Sequence, residues 1–132
     1  MDADTTQPNA LLHRQTTERI IGVFYDVYNE LGRGYLESVY VGALAVALQQ
    51  KGIPYRRETP LDVIFRGVSV GFFRADLVVE ERVVVEVKAA RTIDPAHEAQ
   101  LLNYLRASRI QVGLLLNFGH RPGFRRLAFS RS

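Results

Sequence analysis

Asp76, Glu86 and Lys88 are the residues whose types and spacing allow chemistry. Asp76 sits in Arg74-Ala75-Asp76-Leu77-Val78-Val79, and the other two follow in Arg82-Val83-Val84-Val85-Glu86-Val87-Lys88. Two carboxylates converging on one point make an oxygen site for a hard cation such as Mg²⁺ or Mn²⁺. Such an ion typically takes one or two carboxylates together with waters and substrate phosphate oxygens. It lowers the pKa of water and neutralises charge growing on a phosphoryl group. A lysine alongside orients or deprotonates the attacking water, or holds the phosphate as a point charge. Phosphodiester hydrolysis needs these parts. The plain alternative is a half-solvated strand with a surface ion pair between Glu86 and Lys88, and Glu-x-Lys alone favours that alternative.

The elements around these residues must place them together. Residues 82–89 read as the strongest strand, with four valines among charged residues. Side chains alternate faces along a strand, so Glu86 and Lys88 share one face while Val83, Val85 and Val87 share the other. Glu80-Glu81 reads as a turn, and the resulting hairpin sets Asp76 across from the Glu86–Lys88 pair. Residues 68–73 and 75–79 read as one strand bent near Gly71, joined through Arg66-Gly67 to a strand at 57–65, where Pro60 suggests an edge or a bulge.

Two helices come first. Thr17 is a plausible N-cap. Ile20, Ile21, Phe24, Val27, Tyr28 and Leu31 then recur at helical spacing up to Gly32-Arg33-Gly34. The second helix covers 36–50, with Val39, Tyr40, Ala43, Leu44, Ala47 and Leu48 on its expected buried side. After the Glu-x-Lys strand, Asp94-Pro95 opens a helix with Asp as N-cap and Pro at the first helical position, running to about Ala107. Residues 110–117 form a continuous apolar run that suits a buried strand. Residues 124–129 read as an Arg-rich edge strand. The expected order is α-α-β-β-β-α-β-β, and the helix crossover usually sets the following strand parallel to an earlier one. Residues 1–15 read as a flexible N-terminal arm ahead of a single domain at 16–132.

Composition narrows the classes further. A chain of 132 residues with 47% hydrophobic and 23% charged residues fits one ordinary globular domain. No apolar run reaches the roughly 18 residues of a membrane span, and the polar, acid-bearing N-terminus does not resemble a signal peptide. The chain has no cysteine, which excludes disulfides and thiolate metal sites. A cytoplasmic location is the expectation. The net charge of +3 is uneven: residues 1–98 hold 11 basic and 14 acidic side chains, a balance of −3, whereas residues 99–132 hold six arginines and no acid. Such a basic segment is either a nucleic-acid footprint or a solvated Arg-rich surface. Among its arginines, Arg121, Arg125 and Arg126 are the candidates for phosphate contact.

Further residues add weight. Glu37 lies early in the second helix. His97, Gln100 and Tyr104 stand at i, i+3 and i+7 and so share a stripe on the helix after the Glu-x-Lys strand. His97 and Tyr104 are candidate substrate contacts, or equally a helix-cap histidine and a packed tyrosine. Gly32-Arg33-Gly34 follows a helix and lacks the lysine of a phosphate-binding loop. Asn117-Phe118-Gly119 reads as a turn.

The ordered set Glu37…Asp76…Glu86-Val87-Lys88…Gln100 resembles the PD-(D/E)XK nuclease superfamily. Within it, Gly34-x-x-Glu37-x-x-Tyr40 resembles the motif that names the GxxExxY proteins. Arg74-Ala75-Asp76-Leu77, the stretch from His97 to Leu105, and Leu115-Leu116-Asn117-Phe118-Gly119 are similar to that family's blocks, in its order. The resemblance covers residues 17–130 and implies an α/β fold, a restriction-endonuclease-like mixed sheet flanked by helices. It implies that Asp76 and Glu86 bind the metal, that the Val87 carbonyl and Glu37 complete its shell, that Lys88 is catalytic, and that Gln100 contacts water or substrate. Ala75 stands where the family name has proline. The implied activity is Mg²⁺- or Mn²⁺-dependent hydrolysis of nucleic acid, with DNA as the expected polymer. The alternative is a non-catalytic binding module or accessory subunit that keeps the fold. No separate recognition domain is expected within 132 residues, so specificity would need a homodimer, a protein partner or a structural feature of the DNA.

Overall fold

The computed structural model describes residues 12–129. The elements run α1 (Arg14–Leu31), α2 (Glu37–Gln50), β1 (Tyr55–Phe65), β2 (Val68–Val79), β3 (Val83–Lys88), α3 (Pro95–Ala107), β4 (Val112–Phe118) and β5 (Pro122–Ala128). The order is the expected α-α-β-β-β-α-β-β, and it builds an α/β fold. Among the described residues, no helix is long and apolar enough to cross a membrane.

The strands form one five-stranded sheet in the order β1-β2-β3-β4-β5. All neighbours are antiparallel except β3 and β4, which run parallel because α3 carries the chain back between them. β1 is an edge strand, as Pro60 suggested. Its register slips between Val63 and Ile64, opposite the Gly71 region where a bend was expected.

The central part of the sheet is buried on both faces, while most of β1 and the first half of β2 are exposed. On one side α1 and α2 cover Leu77, Val79, Val83, Val85, Val87, Val112, Leu114, Leu116 and Phe118. On the other, α3 places Leu101 and Leu105 against Phe73, Ala75, Val78, Val84 and Leu115. A strand buried on both faces reads as an unbroken apolar run, and β4 is buried at every position. Gly113 lets α3 approach closely: a Cβ there would lie 3.1 Å from the Leu101 side chain.

The structure revises several expectations. α1 begins at Arg14, so the last residues of the expected arm are helical; residues 1–11 lie outside the described residues. Thr17 is not the N-cap. It is buried, and its hydroxyl donates to the Arg14 carbonyl at 2.9 Å, a bond made inside a helix. The neighbouring Thr16 hydroxyl donates to Glu80 instead. In α2 the inward stripe is Tyr40, Val41, Leu44, Ala45 and Leu48, and Val39 is left 41% exposed. α2 is apolar around most of its circumference, so periodicity alone could not select the buried side. α3 matches its expected bounds, with the Asp94 side chain accepting from the Ala96 N–H at 2.8 Å.

Tyr40 ties α2 to the rest. It is fully buried, its ring stacks on Phe118 with centroids 4.1 Å apart, and its hydroxyl donates to the Gly32 carbonyl at 2.6 Å while accepting from the Tyr35 N–H at 3.2 Å. Gly34, inside the loop so closed, has φ 108°, a conformation that favours glycine. Tyr40→Phe keeps the stack and strips the loop of both bonds. We expect it to lower unfolding free energy by about 1–3 kcal/mol, read by urea denaturation with an unchanged m-value.

Candidate active site

The β2–β3 ladder pairs Leu77 with Val85, Val78 with Val84 and Val79 with Val83. The next step would pair Asp76 with Glu86, and there side chains take over from the backbone. The Val87 N–H donates to Asp76 Oδ2 at 2.8 Å, and the Asp76 N–H donates to Glu86 Oε2 at 3.2 Å. Each carboxylate thus holds the opposite strand with one oxygen. Among the described residues, the other oxygen of each has no hydrogen-bond partner. The strands part where the two acids meet, which opens the sheet at this end.

Glu86 and Lys88 share the α3-side face with Val84, as strand alternation required, and both are half-buried. The packed part of α3 presses Leu101 and Leu105 on the sheet and leaves this end of β3 partly open. Glu37 comes from the first turn of α2, where its Oε2 accepts from the Ala89 N–H at 3.2 Å, one residue beyond Lys88. Three chain segments, β2, β3 and the start of α2, therefore meet around the end of β3.

Electrostatics follow from this crowding. Burial, then the negative charge of Asp76, pushes the Glu86 carboxyl up to about 7, against the opposing pull of the Asp76 N–H and Lys88. Burial likewise raises Asp76, while the Val87 N–H and Lys88 oppose the rise and Glu37 adds to it. One lysine does not offset the acids. A divalent cation would relieve that repulsion, and the two unpaired carboxylate oxygens are the hard donors it prefers. The residues present therefore fit such an ion. Among the described residues, no group of three or more His, Asp or Glu side chains gathers closely enough to hold a metal alone. A shell built on Asp76 and Glu86 would thus be completed by backbone and solvent oxygens, with Glu37 behind it.

Other sequence candidates lie apart. Gln100 is exposed on α3 and makes no hydrogen bond among the described residues. Tyr104 stacks flat on Phe73, with centroids 3.6 Å apart, as a packed tyrosine does. His97 is half-buried, with Nδ1 enclosed and without a partner among the described residues. Arg121 and Arg125 line a groove of about 960 Å³ beside the site. Arg126 does not join them: it points to the α1 side, where its Nη2 donates to the Leu12 carbonyl. Adjacent positions on β5 face opposite ways, so a run of arginines there cannot act as one patch.

Two features escaped the sequence reading. Asn117 is not in a turn but lies in β4, one residue before its end and opposite Lys88, buried to 3%. Its amide clamps the chain after β3: Oδ1 accepts from the Ala90 N–H and Nδ2 donates to the Ala90 carbonyl, both at 2.9 Å. Gly119 makes room for this contact, since a Cβ there would lie 1.8 Å from the Ala90 oxygen. The second is the set of groove arginines Arg33 and Arg91, which join Arg121 only through the fold. In the sequence, the signal for Asn117 was a lone polar residue directly after the apolar run 112–116.

Comparison with known proteins agrees with this geometry. A family model described as the PD-(D/E)XK nuclease superfamily matches residues 14–127, and the chain belongs to that superfamily. No curated protein matches. Among solved structures, the chain resembles SSO0001, with TM-score 0.54 and 18% identity over 91% of this chain, a likeness of fold. The chain spans 60% of that longer protein.

The raised Glu86 carboxyl yields a pH prediction. Its folded value, about 7, lies above the ordinary 4.5, so the folded state holds this proton when the unfolded state has released it. The metal-free protein therefore loses stability as pH rises from about 4.5 to 7, by on the order of 2 kcal/mol after discounting for partial exposure. Glu86→Gln should flatten that decline in denaturation measured across the range; an unchanged slope would place the proton elsewhere. Asn117→Ala removes both amide bonds to Ala90 and leaves that backbone unpaired. A loss of about 2–4 kcal/mol is expected, with faster hydrogen exchange at Ala90.

Proposed function

We propose that this chain is a divalent-metal-dependent nuclease that hydrolyses phosphodiester bonds of nucleic acid, with DNA as the polymer. The observation that carries the reading is the reciprocal grip of Asp76 and Glu86 at the open end of the β2–β3 ladder, with Lys88 on the same face. Asp76 and Glu86, with the Val87 carbonyl, would hold Mg²⁺ or Mn²⁺. When bound, the cation neutralises charge on the phosphoryl group and makes water easier to deprotonate.

The chain's own residues do the rest. The backbone bonds of the two acids fix their free oxygens before substrate arrives, so little reorganisation remains at the moment of reaction. Lys88 presents an ammonium to the attacking water or a phosphate oxygen. Its placement depends on three supports: the β3–β4 ladder, the Glu37 bond to Ala89 and the Asn117 clamp on Ala90. Gln100 would serve only by reaching in from the solvent side of α3 once substrate is present. The GxxExxY resemblance implies that Glu37 completes the metal shell; its bond to the Ala89 N–H, one residue beyond Lys88, and the stack of Tyr40 on Phe118 are compatible with that role.

Plasmid and single-stranded DNA incubated with Mg²⁺ or Mn²⁺ test the reading directly. We expect cleavage by the wild type and none with EDTA. Lys88→Ala should slow it by about a hundredfold or more, with metal affinity preserved in calorimetry. Asp76→Ala should lose both cleavage and metal binding. Salt-sensitive DNA binding without cleavage under any metal would instead identify a binding module, and no binding at all would favour an accessory subunit.

A further inference from the structure

The groove beside the site has walls from three chain segments: the loop before α2, the stretch after β3 and the turn joining β4 to β5. It begins at Ala89 and Ala90, directly after Lys88, so it continues the candidate site rather than standing apart from it. Arg33, Arg91 and Arg121 line it, and none of them has an ion-pair partner among the described residues. Arg125 lies at its rim, where its charge is partly answered by Glu98 at 3.8 Å. Unpaired guanidinium groups converging on one concavity match the spaced charges of a phosphate backbone.

The groove also carries an aromatic surface. Tyr35 lines it with 48% of its surface exposed, and its ring is held edge-on against the buried Tyr40 at 5.9 Å. Ile93 and Pro122 add apolar wall. A rigid, half-open ring among arginines is a stacking platform for a base. In a duplex both faces of a base are covered by its neighbours, so the ring and the apolar wall would gain nothing.

We infer that this groove binds a single-stranded segment of nucleic acid, with one base stacked on Tyr35 and adjoining phosphates held by Arg33, Arg91 and Arg121. The assignment rests on the nuclease reading only for placing the scissile bond next to Lys88; binding itself needs neither metal nor cleavage. It makes the preferred substrate an unpaired strand, such as an overhang or flap, led from the groove into the site.

Fluorescence anisotropy of the full chain in EDTA, with labelled oligo(dT) and with a blunt duplex, tests this without hydrolysis. Oligo(dT) should bind about tenfold or more tightly than the duplex. Tyr35→Ala should weaken oligo(dT) binding by about tenfold and leave duplex binding unchanged, while Tyr35→Phe retains wild-type affinity. Arg91→Ala should reduce the slope of log K against log salt for oligo(dT) by about 0.7. Equal or tighter binding of the duplex, or no effect of Tyr35→Ala, would overturn the groove's assignment, even if wild-type cleavage with Mg²⁺ upheld the nuclease reading. Conversely, the single-strand preference together with no cleavage under any metal would leave the groove standing and remove the nuclease.

Discussion

Two carboxylates of like charge share the end of one β-ladder, and the rest of the molecule is arranged to hold them there. Repulsion between Asp76 and Glu86 would separate free side chains. Here each is pinned by a backbone N–H of the other strand, so neither can swing away without giving up a hydrogen bond in a partly buried setting. The ladder is regular from Val79 back to Leu77 and yields only at Asp76. The interrupted pairing and the site are therefore one feature. Its cost appears in the raised carboxyl of Glu86, and the valines on both faces of β3 supply the packing that keeps the strands in place.

Around that pair the fold sets a frame of aromatic and amide contacts. Tyr40 on α2 stacks on Phe118 of β4, and Phe118 meets Phe24 of α1 edge-on at 4.8 Å. These rings fix where α2 starts, and the start of α2 fixes where Glu37 reaches Ala89. From the other side Asn117 takes hold of Ala90. The short stretch after Lys88 has left the sheet, yet its N–H groups at 89 and 90 are both satisfied by side chains. Irregular backbone beside Lys88 is thus kept in one conformation without further strand pairing.

The same arrangement separates charge by face. Arg126 is spent on the N-terminal end of α1, where burial lowers its pKa, and Glu80 gathers Thr16 and Arg19 nearby. Among the described residues, Arg33, Arg91 and Arg121 have no ion-pair partner, and they line the groove beside the site. The net charge of the chain says little about this, because the arginines that line the groove come from segments distant along the chain.

Much of the architecture was determined by sequence alone. Strand alternation put Glu86 and Lys88 on one face, the Glu80-Glu81 turn set Asp76 opposite Glu86, and Asp94-Pro95 marked the start of α3, because each depends on residues close along the chain. The boundary of α1 and the inward face of α2 were not determined, since an apolar helix carries no preferred side until something packs on it. Nor was the role of Asn117, whose partner lies 27 residues away. The groove arginines come from three separate segments, and adjacent arginines on β5 part to opposite faces. Which charges meet is a property of strand order and helix packing, so only the tertiary structure could decide it.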